Sequence, residues 1–210
     1  MARNELRKRA NWQTNSGLKA KDAEKQFYRA MRSGLNAVYP GQFKVVEQVR
    51  QFNTLYSTHE LPKETLDQIY NVPMQNEDGT EIYQWGIQMD FAIVNNHNGK
   101  TMFGEIKRQD GWVEGGEMSD GRGNAHERSC KYFTPGLIKE LKKSSKLETD
   151  KILPFWVVFC GDITRDPKRN REIDFWFDKF KDNYFMWRDV RDAGPMLDHF
   201  EEKLLPYLLD

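Results

Sequence analysis

The chain has 210 residues, enough to bury one sizeable core, and we predict a single domain over residues 1–210. Its 32 basic and 32 acidic side chains cancel, so net charge does not indicate a nucleic-acid partner, and any DNA affinity must come from local placement of charge. Two cysteines exclude a disulfide-rich secreted scaffold, and no apolar stretch suits a signal peptide or membrane span, so we expect a cytoplasmic protein that has no membrane partner.

The first quarter of the chain predicts helix, strand and helix. Apolar residues recur every three or four positions over residues 23–38 until Tyr39-Pro40, which is the pattern of an amphipathic core helix. Residues 43–49 have the composition of a short strand. Residues 63–70 follow Pro62 and predict a short helix with proline in its first turn.

A hairpin and a glycine-rich loop come next. Residues 87–94 and 101–107 are apolar-rich extended runs, and the Asn98-Gly99 step between them is a strong hairpin turn signal. Residues 111–123 contain five glycines, which predicts a long surface loop of the kind that often carries function.

The second half predicts two helices, a buried strand and a final helix. Residues 125–133 and 137–146 have helical composition and are interrupted by Pro135-Gly136. Residues 153–160 form a nearly continuous apolar run, typical of a strand covered on both faces, and residues 196–208 predict an amphipathic helix. The order of elements favours an α/β fold in which helices flank a mixed central sheet.

Two carboxylates and a lysine fall on the predicted hairpin. Glu105 and Lys107 are two apart in its second strand and therefore project from one face, and Asp90 in the first strand can face them. Carboxylate oxygens are suitable ligands for Mg²⁺, and a nearby ammonium can orient a water molecule and stabilise the negative charge of a phosphoryl transition state.

The same spacing has an ordinary interpretation, a solvated cross-strand face. Glu-x-Lys also occurs at residues 140–142 and 201–203, where the predicted elements are helices and the charges belong to the surface. Glu24 on the first helix is a candidate supporting acid, or simply part of the solvated face of that helix.

A longer motif decides between these interpretations. Residues 121–131 read GRGNAHERSCK, inside a segment from Phe103 to Gly136 that resembles the EcoRI/MunI family of type II restriction endonucleases, most strongly its MunI branch. The likeness spans nearly the whole chain through further short matches: NWQ (11–13), QWG (84–86), DFAI (90–93), LPFWVVF (153–159), GDITRDPKR (161–169) and DNYFMWR (182–188).

This resemblance implies a fold and a catalytic set. The fold would be the restriction-endonuclease-like PD-(D/E)XK core. Asp90 and Glu105 would be metal ligands together with the carbonyl of Ile106, Lys107 would be the third catalytic residue, and the cofactor would be Mg²⁺, with Mn²⁺ as a substitute. Met89 stands where the family motif usually has proline, which changes backbone stiffness and removes no ligand.

Base recognition is expected at the motif itself. Arginine can donate two hydrogen bonds to guanine, asparagine can pair with adenine, and a small apolar group can touch the thymine methyl. By family analogy Asn124, Ala125 and Arg128 would recognise a central AATT and Arg122 the outer guanine of CAATTG, while Glu127 holds the arginines in register. The alternative from composition alone is that the arginines contact only phosphates or solvent.

A basic segment follows the buried strand. Arg165, Lys168 and Arg169, with Arg171 beyond them, are expected to contact the phosphate backbone, which positions a protein without specifying sequence; a solvated loop is the alternative. His126, at a predicted helix start, is expected to have a structural or DNA-contacting role.

The expected partner is double-stranded DNA. A palindrome has two equivalent half-sites, which predicts a homodimer, with a cognate DNA methyltransferase in the host that is not a stable subunit. Each site would hydrolyse one phosphodiester and leave 5′-phosphate, four-base overhangs. Two rival functions stay open here: a structure-specific repair or recombination nuclease on the same core, and a DNA-binding module without catalysis.

Overall fold

The computed structural model describes residues 2–69, 85–111 and 126–210, and for residues 2–16 and 66 the backbone alone. The helices in these ranges are α1 (Ala2–Val38), α2 (Lys63–Leu66), α3 (Pro135–Ser145), α4 (Pro167–Phe177), α5 (Gly194–Lys203) and α6 (Leu205–Leu209). The strands are β1 (Phe43–Val49), β2 (Met89–Asn95), β3 (Thr101–Arg108), β4 (Phe155–Cys160) and β5 (Tyr184–Trp187). Of the helices in this part of the chain, none is long and apolar enough to cross a membrane.

The described residues form two compact units. One comprises residues 1–47 and 91–210, and the other comprises residues 48–90. A single domain over residues 1–210 therefore stays a prediction.

One five-stranded sheet has the order β1-β2-β3-β4-β5. β2 pairs with β3 antiparallel, whereas β4 is parallel to both of its neighbours, β3 and β5. The predicted hairpin and the mixed sheet are confirmed. β4 is buried along its whole length, as its continuous apolar run predicts.

α1 covers one face of this sheet. Phe27 on α1 contacts Phe91 of β2 and Trp156 of β4, with ring centroids 4.4 and 5.8 Å apart. Gly104 is the register partner of Phe91, and a Cβ at this position would overlap the Phe91 ring. The ring therefore lies over β3 only because residue 104 is glycine.

The opposite face is covered by aromatic side chains from the second half of the chain. The Phe155 ring of β4 lies 5.6 Å from that of Tyr132 and 5.5 Å from that of Phe133, and Phe177 of α4 packs against Phe133 at 4.9 Å. Since neighbouring residues of a strand point to opposite faces, odd-numbered residues of β3 and β4 belong to this face.

Several predicted elements needed correction. α1 begins at Ala2, much earlier than its apolar pattern suggests, because the polar residues 2–16 contain no proline to stop a helix. Residues 127–133 form a 3-10 helix, and Pro135 begins α3, since proline suits the first turn of a helix. α2 ends at Leu66, and the final helix is divided at Leu204.

Two elements were not predicted at all. α4 occupies the basic segment, for which a solvated loop is the alternative interpretation above. Its start carries a recognisable signal: Asp166 accepts hydrogen bonds from the backbone N–H groups of Lys168 and Arg169, and Pro167 takes the first turn. β5 has only four residues, too few for an alternating pattern to be distinctive.

Within the unit of residues 48–90, backbone hydrogen bonds connect its two ends. Ile87 N–H donates to the Phe52 carbonyl at 3.0 Å, and Tyr56 N–H donates to the Trp85 carbonyl at 2.8 Å. Gly86 lies so close to the Phe52 carbonyl that a Cβ would overlap it. The predicted 111–123 loop lies outside the described residues except for Gly111.

Candidate active site

Glu105 and Lys107 form a close ion pair on β3. The Lys107 Nζ lies 2.6 Å from Glu105 Oε2, and the two side chains are 19% and 4% exposed, respectively. A carboxylate buried this deeply is tolerable because a cation accompanies it. Both side chains are largely buried, so the pair differs from the solvated cross-strand charges that the alternative interpretation supposed.

Their register shows which face they occupy. Glu105 is the partner of Val157, and Lys107 is the partner of Phe159, in the parallel pairing of β3 with β4. Both therefore project on the Phe155 face, opposite α1. Ile106 points the other way, and its side chain is part of the core beneath α1.

Asp90 lies in β2, half-buried, directly before Phe91. Phe91 is the register partner of Gly104, which in turn directly precedes Glu105. Met89, the residue that replaces the usual proline, is fully buried in the same strand.

No group of three or more His, Cys, Asp or Glu side chains in residues 2–69, 85–111 and 126–210 is arranged to hold a metal ion. A Mg²⁺ site does not require such a cluster. The ion usually keeps several waters and takes one or two carboxylates from the protein, so two carboxylates and a carbonyl are a sufficient donor set.

Glu24 on α1 is half-buried near the C-terminal end of β4. Burial raises the pKa of the Cys160 thiol to about 12, and the negative charges of Asp110 and Glu24 act on it in the same direction. The Glu24 carboxylate is thus close enough to the end of the sheet to influence Cys160. Its predicted supporting role stays a prediction.

The base-recognition motif is partly visible. Arg122, Asn124 and Ala125 lie outside the described residues. Glu127 and Arg128 begin the 3-10 helix of residues 127–133, and both are exposed. Exposed side chains at the start of this helix can reach a ligand.

The histidine of the motif has partners that sequence reasoning missed. His126 is completely buried, its ring is stacked on Trp176 at 5.5 Å, and its two nitrogens lie beside Gln109 and Glu172. Burial and the positive charge of Arg169 lower the pKa of His126 below its ordinary value of 6.5, although Glu172 and Glu127 oppose the shift. No local pattern could have predicted these contacts, because they join residues far apart in the chain.

The basic segment divides into exposed and buried side chains. Arg165 and Lys168 are exposed, as expected for phosphate contacts. Arg169 is buried, and its Nη1 lies 2.5 Å from Glu172 Oε2. The phosphate contact of Arg169 stays a prediction, although on α4 its side chain turns inward and pairs with a carboxylate on the same helix.

A mixed sheet flanked by helices, with an acid and a lysine two apart on a central strand, is the arrangement of the restriction-endonuclease-like fold. Comparison with known proteins specifies the family. The type II restriction enzyme MunI family matches residues 1–209. A type II restriction enzyme MunI from Mycoplasma sp. is 50% identical over 209 residues, which cover 99% of this chain and 100% of that protein.

The likeness extends to three dimensions. The crystal structure of MunI restriction endonuclease in complex with cognate DNA matches with a TM-score of 0.73 and 49% identity, covering 94% of this chain and 97% of that one. The chain therefore belongs to the MunI family of type II restriction enzymes, and it is a site-specific endonuclease. The family assignment made from the GRGNAHERSCK motif is confirmed.

Proposed function

We propose that this enzyme binds double-stranded DNA and cleaves it at the palindrome CAATTG, between the C and the first A of each strand. The support is the combination of the Glu105–Lys107 pair with the GRGNAHERSCK motif, in a chain half identical to a type II restriction enzyme MunI over its full length. The MunI restriction endonuclease whose crystal structure this chain matches is in complex with cognate DNA.

The donor set suits a hard divalent cation. Asp90, Glu105 and the Ile106 carbonyl would hold Mg²⁺, with Mn²⁺ as a substitute, because all three offer oxygen ligands. When bound, the ion polarises the phosphoryl group and lowers the pKa of water. Type II restriction enzymes generally use a divalent metal.

Lys107 has a separate task in this mechanism. Its ammonium, held 2.6 Å from Glu105, would orient the attacking water by donating a hydrogen bond. It also offers positive charge where the transition state gains negative charge, in surroundings where water competes poorly. The pairing fixes the lysine rotamer before substrate arrives, which reduces the reorganisation needed during reaction.

Sequence recognition would be divided along the motif. Asn124, Ala125 and Arg128 would contact the AATT centre in the major groove, and Arg122 the outer guanine. Glu127 would hold the arginine side chains of the motif in register.

A palindrome has two equivalent half-sites, each of which one subunit can recognise, so we propose a homodimer with one active site per strand. Hydrolysis would leave 5′-phosphates and 3′-hydroxyls on four-base overhangs. Arg165 and Lys168 would contact the phosphate backbone. A host methyltransferase, separate from this protein, would protect the cytoplasmic DNA.

The test is digestion of DNA of known sequence with Mg²⁺, followed by sequencing of every end. We expect all ends to begin 5′-AATT and to map to CAATTG. A Glu105→Ala variant, carried through the same preparation, controls for contaminating nuclease and should produce no ends. Ends scattered over many sequences or located at DNA branches would favour a structure-specific nuclease, and binding without cleavage would favour a module without catalysis.

A further inference from the structure

The catalytic strand continues one step beyond Lys107 and Arg108 to Gln109. Gln109 N–H donates to the Cys160 carbonyl at 3.1 Å, so the backbone pairing of β3 with β4 extends past the last strand residue. Gln109 therefore keeps the alternation of Glu105 and Lys107, and its side chain lies on the same face of the sheet. It is also buried, with 4% of its surface exposed.

His126 connects Gln109 to α4. Gln109 Oε1 lies 2.9 Å from His126 Nδ1 and accepts from the His126 backbone N–H at 3.4 Å. On the other side of the ring, Nε2 lies 3.3 Å from Glu172 Oε2. Trp176, one turn further along α4, stacks on the ring with planes 15° apart. The imidazole is thus held at both nitrogens and on one face.

The two contacts restrict the tautomer of a neutral ring. The Glu172 carboxylate can only accept, so Nε2 carries the proton, and Nδ1 must accept. Turning the Gln109 amide places its NH₂ beside Nδ1 as the donor and gives Gln109 Nε2 a partner, which it otherwise lacks among the described residues; the same turn gives up the 3.4 Å contact with the His126 backbone N–H.

The same carboxylate continues the network toward the motif. Glu172 Oε2 also lies 2.5 Å from Arg169 Nη1, and that nitrogen lies 4.0 Å from Glu127 Oε1. A chain of polar contacts therefore leads from Gln109 through His126, Glu172 and Arg169 to Glu127. Its first member adjoins the catalytic strand, and its last lies next to Arg128.

We infer that His126 is a positioning residue, which fixes the recognition-motif residues Glu127 and Arg128 relative to the strand that carries Glu105 and Lys107. The inference rests on the proposed function, because it gives His126 its task within sequence recognition. His126 touches no reacting atom; it acts through the backbone of its own segment and through Gln109.

The expected effect follows from geometry. A displacement of about 1 Å between reacting groups can cost about 10²-fold in rate. Only the cognate site makes the full set of base contacts that align DNA with the catalytic strand. Loosening the connection at His126 should therefore slow cleavage of the cognate site more than cleavage of a site with one altered central base pair.

The experiment measures this ratio of rates. Single-turnover cleavage is followed for the full-length wild type, His126→Ala, and His97→Ala as a matched control, because His97 is exposed in the hairpin turn. The substrates are short duplexes carrying the site found by end sequencing, or that site with one central base pair changed. We expect the rate ratio to fall about 10- to 100-fold in His126→Ala and to be unchanged in His97→Ala.

Two further variants keep the inference testable if His126→Ala does not fold. His126→Asn can retain the contact to Gln109 and should restore part of the ratio. Gln109→Leu removes the same contact from the other side and should lower the ratio. Combined with His126→Asn, it should abolish the part of the ratio that the asparagine restores, since the effects of interacting residues are not additive. Thermal unfolding of each variant measures the folded fraction.

The possible results distinguish failure of the proposed function from failure of the inference about His126. If the wild type cleaves no specific site, the proposed function fails. If the wild type cleaves specifically while the His126 and Gln109 variants keep its rate ratio, or lose both rates in proportion to their folded fraction, His126 has only a structural role and the inference is overturned.

Discussion

Replacing the buried carboxylate of β3 tests the catalytic assignment most directly. Glu105→Gln keeps the shape of the side chain and an oxygen that can accept from Lys107, 2.6 Å away in the native pair. It removes the negative charge that would hold the metal ion. The substitution therefore separates charge from packing.

The expected loss of folding stability can be compared with the expected loss of cleavage rate. Removing one member of a buried ion pair costs about 3–5 kcal/mol when the remaining charge stays buried. Lys107 is 19% exposed, so its ammonium can turn toward water, and we expect a loss of about 1–2 kcal/mol. Against a typical stability of about 5–15 kcal/mol, nearly all molecules stay folded. Loss of a ligand charge should slow the chemical step about 10³-fold, equivalent to about 4 kcal/mol.

The assay is single-turnover cleavage of a cognate duplex with Mg²⁺, together with thermal unfolding of each protein. Glu201→Gln is the matched control, since Glu201 and Lys203 repeat the Glu-x-Lys spacing on the surface of α5. The control should cleave like the wild type. A Glu105→Gln enzyme that is folded and cleaves within about tenfold of the wild-type rate would refute the assignment of Glu105 as a metal ligand.

Four other outcomes are expected. Gly104→Ala forces a methyl group into the Phe91 ring and should lower the free energy of unfolding by about 1–3 kcal/mol in urea titrations; an unchanged midpoint would contradict this packing. Arg128→Ala should lose about 1–3 kcal/mol of discrimination within AATT, measured as cleavage rates on singly altered sites; an unaltered preference would rule out base contact. Lys168→Ala should weaken binding to all sequences and reduce the slope of log affinity against log salt by about 1; an unaltered slope would remove the phosphate contact. Because burial, followed by the charge of Arg169, lowers the pKa of His126 below 6.5, the unfolded chain binds a proton there that the native protein does not, so stability should fall as pH drops below about 6.5. His126→Asn should lose that part of the slope in unfolding measurements between about pH 6.5 and 5, and an unchanged slope would show that other groups cause it.

Short-range signals were sufficient for the hairpin and its charged residues. The Asn98-Gly99 step predicts a turn from backbone preference alone, and alternation then places Glu105 and Lys107 on one face. The burial of β4 follows equally from its unbroken apolar run. The family assignment came from the GRGNAHERSCK motif, a string specific enough to outweigh the ambiguity of Glu-x-Lys.

Other features are properties of the assembled fold. Whether the Arg169 side chain faces solvent or the interior depends on which face of α4 packs against the rest of the fold. The basic composition of the segment is equally compatible with a solvated loop. The 3-10 geometry of residues 127–133 likewise contradicts a helical composition, because tertiary contacts outweigh weak local propensity.

The sequence by itself thus determined the hairpin, the buried strand β4, the family and the placement of an acid and a lysine on one face of a strand, since each is encoded within a few consecutive residues. Only the tertiary structure decided that the Glu105 carboxylate is buried and that His126 lies between Gln109 and Glu172, which are 17 and 46 residues away. Such contacts form when distant segments pack together, and their free energy depends on burial and distance, which no linear spacing records.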